Sequence, residues 1–509
     1  MKNNGFVKGA FILLVCNLVG KIIGAVYRIP LANMLGTEGI GKYQLIFPLY
    51  ALLLSISSSG IPVAISKIVA EYNGKGMFAD VRKLLKITKT CLCVISFFAV
   101  GLIVVFARNI ASIQGNPEIY FCYYAIAPAI LFVGILSVYR GYFQGDLNML
   151  PSALSNLVEQ ITKLLISLAL VNVTISRGIE YGVFGALLGI SISELLALLF
   201  LSIYYLFSPK KQGVASLGGK VISKQLFDNA FPITLGNLAG PITAIIDSLL
   251  IVNLLKNIGF SGVEATSLLG LQAGIVDPII NIPIVLAISI SASLLPNLAS
   301  LFIKGDDGSI KNIIEKAFQI TLSMVLVCSV CFVIFGKQIL MFLYGGSLNK
   351  SELITASKLL FLGGGNLIFL SLVQITSGVL QGIGKQKFTM KTIVFGSIIK
   401  IVLTLALVSI KEVNILGAML SGGVSYLVVF ALNYREIKKH TSARFSNIIS
   451  ESIIQCCLVC LFAYFSNKLF TLALGETIAL FAGGLVSVII FLITYYTLFL
   501  IGKSQSFSS

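Results

Sequence analysis

The sequence contains few charged residues and almost no histidine. Only 11% of its 509 residues are Asp, Glu, Lys or Arg and 57% are hydrophobic, so the chain holds no sizeable soluble domain and belongs to the membrane class. A single histidine, His440, excludes a histidine cluster. The sequence also lacks a Gly-x-x-x-x-Gly-Lys-Ser/Thr phosphate loop and a nucleophile elbow. We therefore expect neither an enzyme nor an ATPase, and no cofactor or metal.

Cysteine chemistry is also weakly represented. Nearly all of the nine cysteines fall inside apolar runs. Cys328-Ser-Val-Cys331 has the spacing of a metal or redox pair, but no second pair or histidine accompanies it. We interpret these cysteines as small residues for helix packing.

Long apolar runs fill the rest of the chain. A hydrocarbon core of roughly 30 Å needs about 20 helical residues, and the runs are continuous rather than alternating, which excludes a barrel. We predict an all-α polytopic membrane protein. Its fourteen transmembrane helices are placed near 7–33, 43–70, 86–107, 119–143, 152–174, 181–207, 227–254, 268–301, 313–335, 353–380, 389–410, 413–434, 447–468 and 475–501.

The net charge of +17 follows membrane topology. With a cytoplasmic amino terminus, the cytoplasmic segments hold most of the 37 basic residues, including Lys75, Arg82 and Lys83. This distribution predicts a plasma-membrane protein with both termini in the cytoplasm. We expect no nucleic-acid partner.

The chain contains one internal repeat. Lys163-Leu-Leu-Ile-Ser-Leu-Ala-Leu-Val resembles Lys400-Ile-Val-Leu-Thr-Leu-Ala-Leu-Val, and the same alignment matches Gly141-Tyr-Phe-Gln-Gly with Gly378-Val-Leu-Gln-Gly. Helices one to six therefore match helices seven to twelve, as in transporters with parallel repeats. The predicted domains are an N-terminal lobe, a cytoplasmic linker, a C-terminal lobe, and two further helices with a tail: 1–207, 208–226, 227–440 and 441–509.

Prolines concentrate in the first hairpin of each lobe. Interior prolines remove a backbone donor and bend a helix. Two interpretations stay open: static kinks that shape the bundle, or a bending gate that exposes a site alternately to each side. The candidate gate kinks are Pro62, Pro241, Pro283 and Pro296.

Charged side chains at bilayer depth are the candidate functional residues. Each ammonium there costs on the order of 2.5–3.5 kcal/mol on insertion scales, so it faces a wet cavity or a partner. We expect a cationic cavity for an anionic substrate, formed by Lys21, Arg28, Lys163 and Lys400. The candidate ion-coupling groups or charge partners are Glu159, Glu194, Asp247 and Asp277. Glu159 and Lys163 are spaced i, i+4, so a structural ion pair remains the alternative there.

Two motifs resemble a known family. They are Arg140-Gly-Tyr-Phe-Gln-Gly145, followed by Pro151 and Glu159-Gln160, and Gly60-Ile-Pro-Val-Ala-Ile-Ser-Lys-Ile-Val-Ala-Glu71. Both are similar to the stage V sporulation protein B group of polysaccharide transporters. This group belongs to the multidrug/oligosaccharidyl-lipid/polysaccharide flippase superfamily, alongside lipid II flippases.

The resemblance implies two six-helix lobes in a V shape and a central cationic cavity. It implies export of undecaprenyl-pyrophosphate-linked oligosaccharide or peptidoglycan precursors by alternating access, for cell-wall or spore-cortex synthesis. The expected partners are this lipid-linked glycan, membrane lipids and cell-wall synthesis proteins. Two alternatives remain: a cation-coupled multidrug exporter of the same superfamily, or a membrane scaffold for cell-wall enzymes that transports nothing.

Overall fold

The computed structural model consists of helices joined by short connections in the part of the chain that it describes, which is residues 2–58, 60–209, 213, 217–442, 446–474 and 476–505. It divides into two compact units. The first comprises Met1–Lys256 with Phe260–Gly270, and the second comprises Asn257–Gly259 with Leu271–Ser509.

The described residues of the first unit form nine α-helices. They are α1 (Lys2–Ser58), α2 (Gly60–Gly74), α3 (Phe78–Ile113), α4 (Cys122–Gly145), α5 (Leu150–Thr174), α6 (Ile179–Phe207), α7 (Gly219–Asn237), α8 (Ala239–Asn257) and α9 (Gly262–Leu269). Short 3₁₀ turns lead into α4 and α6. A Ser261 hydroxyl and the Glu264 carboxylate cap α9 reciprocally, which satisfies backbone donors at its start.

A π-helical turn at 270–276 leads along the chain into the second unit, whose described residues form seven α-helices. They are α10 (Asp277–Lys304), α11 (Asp307–Tyr344), α12 (Lys350–Gly382), α13 (Gln386–Val408), α14 (Leu416–His440), α15 (Ser446–Leu474) and α16 (Glu476–Gln505). Asn349 and Glu352 form a second capping box at the start of α12.

The fourteen predicted helices are confirmed, with three differences in how the chain joins them. The first two predicted helices run together, and only Gly36 interrupts α1, with a φ of 67° that glycine adopts without strain. The seventh is split into α7 and α8, whose axes differ by 51°. The eighth comprises α9, the π-helical turn and α10. Most of these helices are long and apolar enough to cross a membrane.

Glycines of the repeated motif hold equivalent helices together in each unit. A Cβ on Gly141 would lie 2.8 Å from the Pro62 carbonyl oxygen, and one on Gly145 would lie 2.5 Å from that of Ser66, so α4 packs directly on α2. Gly378 approaches Ser291 and Gly382 approaches Leu298 in the same way, between α12 and α10. Small residues of this kind permit close helix packing in membranes.

The compact units divide the chain later than the predicted lobes do. The predicted boundary is the linker 208–226, whereas α7, α8 and α9 pack within the first unit. A repeat boundary reflects sequence similarity and a compact unit reflects contacts, so the two can differ. The predicted lobes therefore stay a prediction about the repeat.

Candidate functional site

An ion pair joins α4 to α5 in the first unit. An Arg140 guanidinium nitrogen lies 2.8 Å from a Glu159 carboxylate oxygen, and Arg140 Nε donates to Ser155 Oγ at 3.1 Å. Gln160 Nε2 donates to the other Glu159 oxygen at 2.7 Å. The side chains of Arg140 and Glu159 are only 22% and 13% exposed. Glu159 therefore pairs with Arg140 on the preceding helix, and not with Lys163 one turn away.

A second carboxylate is more deeply buried. Glu194 lies on α6 with 4% of its surface exposed, and one of its oxygens accepts a hydrogen bond from the Tyr50 hydroxyl of α1 at 2.9 Å. Its other oxygen, Oε2, has no hydrogen-bond partner among the described residues. A buried carboxylate with one uncommitted oxygen is suited to binding a proton or a cation.

Two predicted cations lie near these carboxylates. Lys163 is half-buried on α5, and the charges of Glu159, Glu194 and Arg28 all act on it. The guanidinium carbon of Arg28, on α1, lies 5.7 Å from the centre of the Phe47 ring. The first unit thus brings together four predicted site residues, which with Arg140 and Tyr50 we call the charged cluster: Arg28, Tyr50, Arg140, Glu159, Lys163 and Glu194.

The other predicted charges lie elsewhere. Lys21 is exposed on α1, two turns before Arg28. Asp247 lies half-buried on α8 in the same unit. Lys400 on α13 and Asp277 at the start of α10 belong to the second unit, and both are half-buried. Their substrate-binding and coupling roles stay predictions.

The predicted gate prolines occupy two kinds of position. Pro62 and Pro241 lie in the first turns of α2 and α8, where a missing backbone donor breaks no intrahelical bond. Pro241 also immediately follows the bend between α7 and α8. Pro283 and Pro296 lie inside α10, which continues past both. A gating role for these four stays a prediction.

Arg140 and Tyr50 were missed as members of the charged cluster. Arg140 stands in a recognised motif, but it is not among the charges predicted at bilayer depth. Tyr50 carries no charge, and its hydroxyl meets Glu194 across 144 residues of sequence. The sequence did contain a signal for Arg140. It is the single charged residue of the apolar helix α4, and Glu159 on the next helix offers it an opposite charge.

α7 contacts α2 along a first seam within this unit. A Cβ on Gly60 would overlap the Ala230 carbonyl oxygen and the Thr234 hydroxyl, so the two helices touch through their backbones. The Tyr72 hydroxyl donates to Gln225, and Lys67 donates to Asn229 at 2.8 Å.

A second seam joins α8 and α9 to α1 near Gly41 and to residues 114–116, which follow α3. Gly41 meets the Thr266 carbonyl so closely that a Cβ would overlap it. Asn116 Nδ2 donates to Thr266 Oγ1 at 2.7 Å, and Lys256 donates to the Gly115 carbonyl. The buried Gln114 amide donates to the Ser248 hydroxyl at 3.3 Å. Helices that the repeat assigns to different lobes are therefore bonded at two separate places.

Sequence comparison gives relatives over most of the chain. The chain is 27% identical to the lipid II flippase MurJ of Bacillus subtilis (strain 168) over 478 residues, which cover 89% of this chain and 86% of the relative. It is 26% identical to stage V sporulation protein B of the same organism over 447 residues, covering 86% and 85%.

Solved structures show the same fold. A lipid II flippase MurJ in an inward closed conformation matches with a TM-score of 0.73 at 15% identity, covering 96% of this chain and 99% of that chain. An inward-facing multidrug resistance MATE family transporter matches with a TM-score of 0.68 at 16% identity, covering 85% and 100%.

The family model described as "Polysaccharide biosynthesis protein" matches residues 6–302, more than half of the chain. The predicted resemblance is thereby confirmed, as is the prediction of a transporter rather than an enzyme. This multi-pass membrane protein belongs to the polysaccharide biosynthesis protein family of the multidrug/oligosaccharidyl-lipid/polysaccharide flippase superfamily.

Proposed function

We propose that the protein flips undecaprenyl-pyrophosphate-linked oligosaccharides or peptidoglycan precursors across the plasma membrane. The product would serve cell-wall or spore-cortex synthesis, and both termini would lie in the cytoplasm. The names of the two relatives, a lipid II flippase and a stage V sporulation protein, support this substrate class. The excess of basic residues over carboxylates in and beside the charged cluster supports it independently.

The observation that carries the proposal is the environment of Arg28. Its guanidinium lies against the face of Phe47 and forms no ion pair with a carboxylate in the described part of the chain. A ring face attracts the cation without occupying its N–H donors, which can then form bidentate bonds to a phosphate. With Lys21 on the same helix, Arg28 would bind the pyrophosphate.

Glu194 is our candidate for the coupling group. Its uncommitted oxygen lies within a cluster that contains Lys163, so a proton or cation arriving at Glu194 would change the field at that lysine. Binding of a coupling ion and binding of the anionic head group would then influence each other. Transport driven by an ion gradient needs a linkage of this kind.

The two seams would provide alternating access. Both are closed by hydrogen bonds and by backbone contact at a glycine. In this mechanism a polar head group would pass when α7 separates from α2 at one seam, or when α8 and α9 separate from α1 and α3 at the other. Opening one while the other stays closed would expose the charged cluster to one side of the membrane at a time.

A cross-link across the second seam tests this mechanism. In a cysteine-free background, Asn116→Cys with Thr266→Cys replaces two side chains whose polar atoms lie 2.7 Å apart. We expect the disulfide to stop flipping of a polyprenyl-pyrophosphate glycan in proteoliposomes, and reductant to restore it. Thr404→Cys with Ser421→Cys is the matched control, because those hydroxyls also lie 2.7 Å apart but join α13 to α14. Continued flipping with the first pair oxidised would exclude the mechanism.

Multidrug export is the second candidate function. The similarity to a MATE transporter fold and the buried Glu194 both favour it. The two functions predict opposite substrates: the flippase moves an anionic lipid-linked glycan, whereas the exporter moves cationic drugs. Competition in the same proteoliposomes decides between them. Export would be supported if the protein moves a cationic dye and the pyrophosphate lipid does not inhibit that movement.

A further inference from the structure

The second unit contains a groove that the proposed transport path does not use. It has a volume of about 570 Å³ and lies where α11, α12 and the first residue of α14 meet. Its walls are mostly apolar and aromatic, and they include Phe332, Val333, Ile354 and Phe361. All of these residues belong to the second unit, so the groove is complete without the charged cluster.

The groove opens onto an exposed apolar surface of this unit. The side chains of Val333, Ile354 and Phe361 are 39%, 58% and 56% exposed, while Phe332 beneath them is 8% exposed. Exposed apolar side chains on membrane-spanning helices contact lipid. Acyl chains are therefore the material that fills this wall of the groove.

Two lysines lie at one end of the groove. Lys337 and Lys358 both line it, both are exposed, and they are the only charged residues among the described residues of its lining. Lys337 lies two turns before the end of α11, and Lys358 lies two turns after the start of α12. At 1.5 Å per residue, each lysine Cα is roughly 10–12 Å from the same helix–helix connection. Both side chains can extend toward one membrane interface.

We propose that this groove binds an anionic phospholipid. The phosphate lies between the ammonium groups of Lys337 and Lys358, and an acyl chain lies along Val333, Ile354 and Phe361. Basic pockets between transmembrane helices select anionic head groups for this electrostatic reason. A zwitterionic lipid would fit the apolar wall equally well but would gain less from the two lysines. The proposal is independent of the transported substrate.

Native mass spectrometry of the full-length protein tests the proposal. The protein is titrated with phosphatidylglycerol or with phosphatidylcholine of the same acyl chains. We expect tighter binding of phosphatidylglycerol, and roughly 30-fold weaker binding after Lys337→Gln with Lys358→Gln, since each lysine near the surface contributes about fivefold. Phosphatidylcholine binding should not change. Equal binding of both lipids by the unmodified protein would overturn the proposal.

Three further variants test whether phosphatidylglycerol binding depends on the groove or on general surface charge. Lys350→Gln with Lys411→Gln removes two exposed lysines outside the groove lining and should leave phosphatidylglycerol binding unchanged. Lys337→Arg with Lys358→Arg should retain it. Ser357→Phe keeps both lysines but fills the groove, and should abolish the preference. Unchanged binding by the Ser357 variant, or stronger binding of a polyprenyl phosphate than of phosphatidylglycerol, would contradict the assignment.

Discussion

The two units use equivalent helices to build different polar networks. In the first unit, Arg140 and Glu159 form an ion pair between α4 and α5. The repeat alignment places Ser377 and Gly396 at these two positions in the second unit. There, Thr392 donates to Asn433 at 2.8 Å, and Asn433 donates to Ser377 at 3.3 Å, so α12, α13 and α14 are joined by uncharged groups.

This difference separates scaffold from function. Both units retain the glycines that bring α4 onto α2 and α12 onto α10, so close packing alone does not require charge. Uncharged amides and hydroxyls are enough to join three helices in the second unit. The first unit instead carries an ion pair and a nearly fully buried carboxylate, each of which is expensive to place in a membrane protein. We infer that these charges are retained for transport.

The largest effect is expected when one member of the ion pair is replaced by its counterpart from the second unit. Arg140→Ser leaves the Glu159 carboxylate without its partner, and should cost about 3 kcal/mol of stability. Arg140→Ser with Glu159→Gly removes both charges and should recover most of that loss, less about 1 kcal/mol for glycine inside a helix. Thermal unfolding in detergent measures both variants.

Transport should follow a different pattern from stability in the same variants. The double variant should fold but not flip lipid, because it carries the uncharged residues that the second unit has at these two positions. A double variant that transports normally would show that the ion pair only joins α4 to α5. A single Arg140→Ser variant as stable as the unmodified protein would show that the pair contributes nothing to the fold.

Glu194→Gln should affect transport while leaving the fold intact. The amide oxygen can still accept the Tyr50 hydrogen bond, and a neutral amide is easier to bury than a carboxylate, so thermal stability should be equal or higher. Ion-driven flipping should fall to background because the amide cannot take up a proton. Tyr50→Phe is the control, since it removes the hydrogen bond but keeps the carboxylate. Gradient-driven flipping by the Gln variant at the normal rate would exclude Glu194 as the coupling group.

The smallest effect on transport is expected in the second unit. Asn433→Leu removes a fully buried amide from its contacts with Thr392 and Ser377, and should lower stability by about 1–3 kcal/mol. Flipping per folded molecule should change little. The comparison between the units would fail if Asn433→Leu abolished transport in protein that remains folded.

Helix positions could be predicted from the sequence because each span must be long and apolar enough to cross the bilayer. The repeat was visible because the motif glycines recur at one spacing, as do Lys163 and Lys400. The break at Gly36 and the bend before Pro241 were less accessible. Glycine and proline occur throughout such helices, and only tertiary contacts determine which of them interrupts a span.

The charged cluster was predicted only in part. Insertion energetics singled out Lys163, Glu159 and Glu194, because charge at bilayer depth is costly. The i, i+4 spacing offered Lys163 as an alternative partner of Glu159, but the ion pair joins Glu159 to Arg140, because a residue on the neighbouring helix can be closer than sequence spacing reveals. The Tyr50 hydroxyl gave no signal, because a tyrosine in an apolar helix is most often a packing residue.

We infer that uncommitted cations of the first unit bind the anionic head group, and substitution of Arg28 provides the test. The measurement is the rate at which a fluorescent polyprenyl-pyrophosphate glycan is flipped in proteoliposomes, normalised to folded protein. Arg28→Ala should abolish flipping, and Arg28→Lys should retain part of it, since lysine keeps the charge but loses bidentate geometry. An Arg28→Ala variant that flips the lipid at the normal rate would contradict the account.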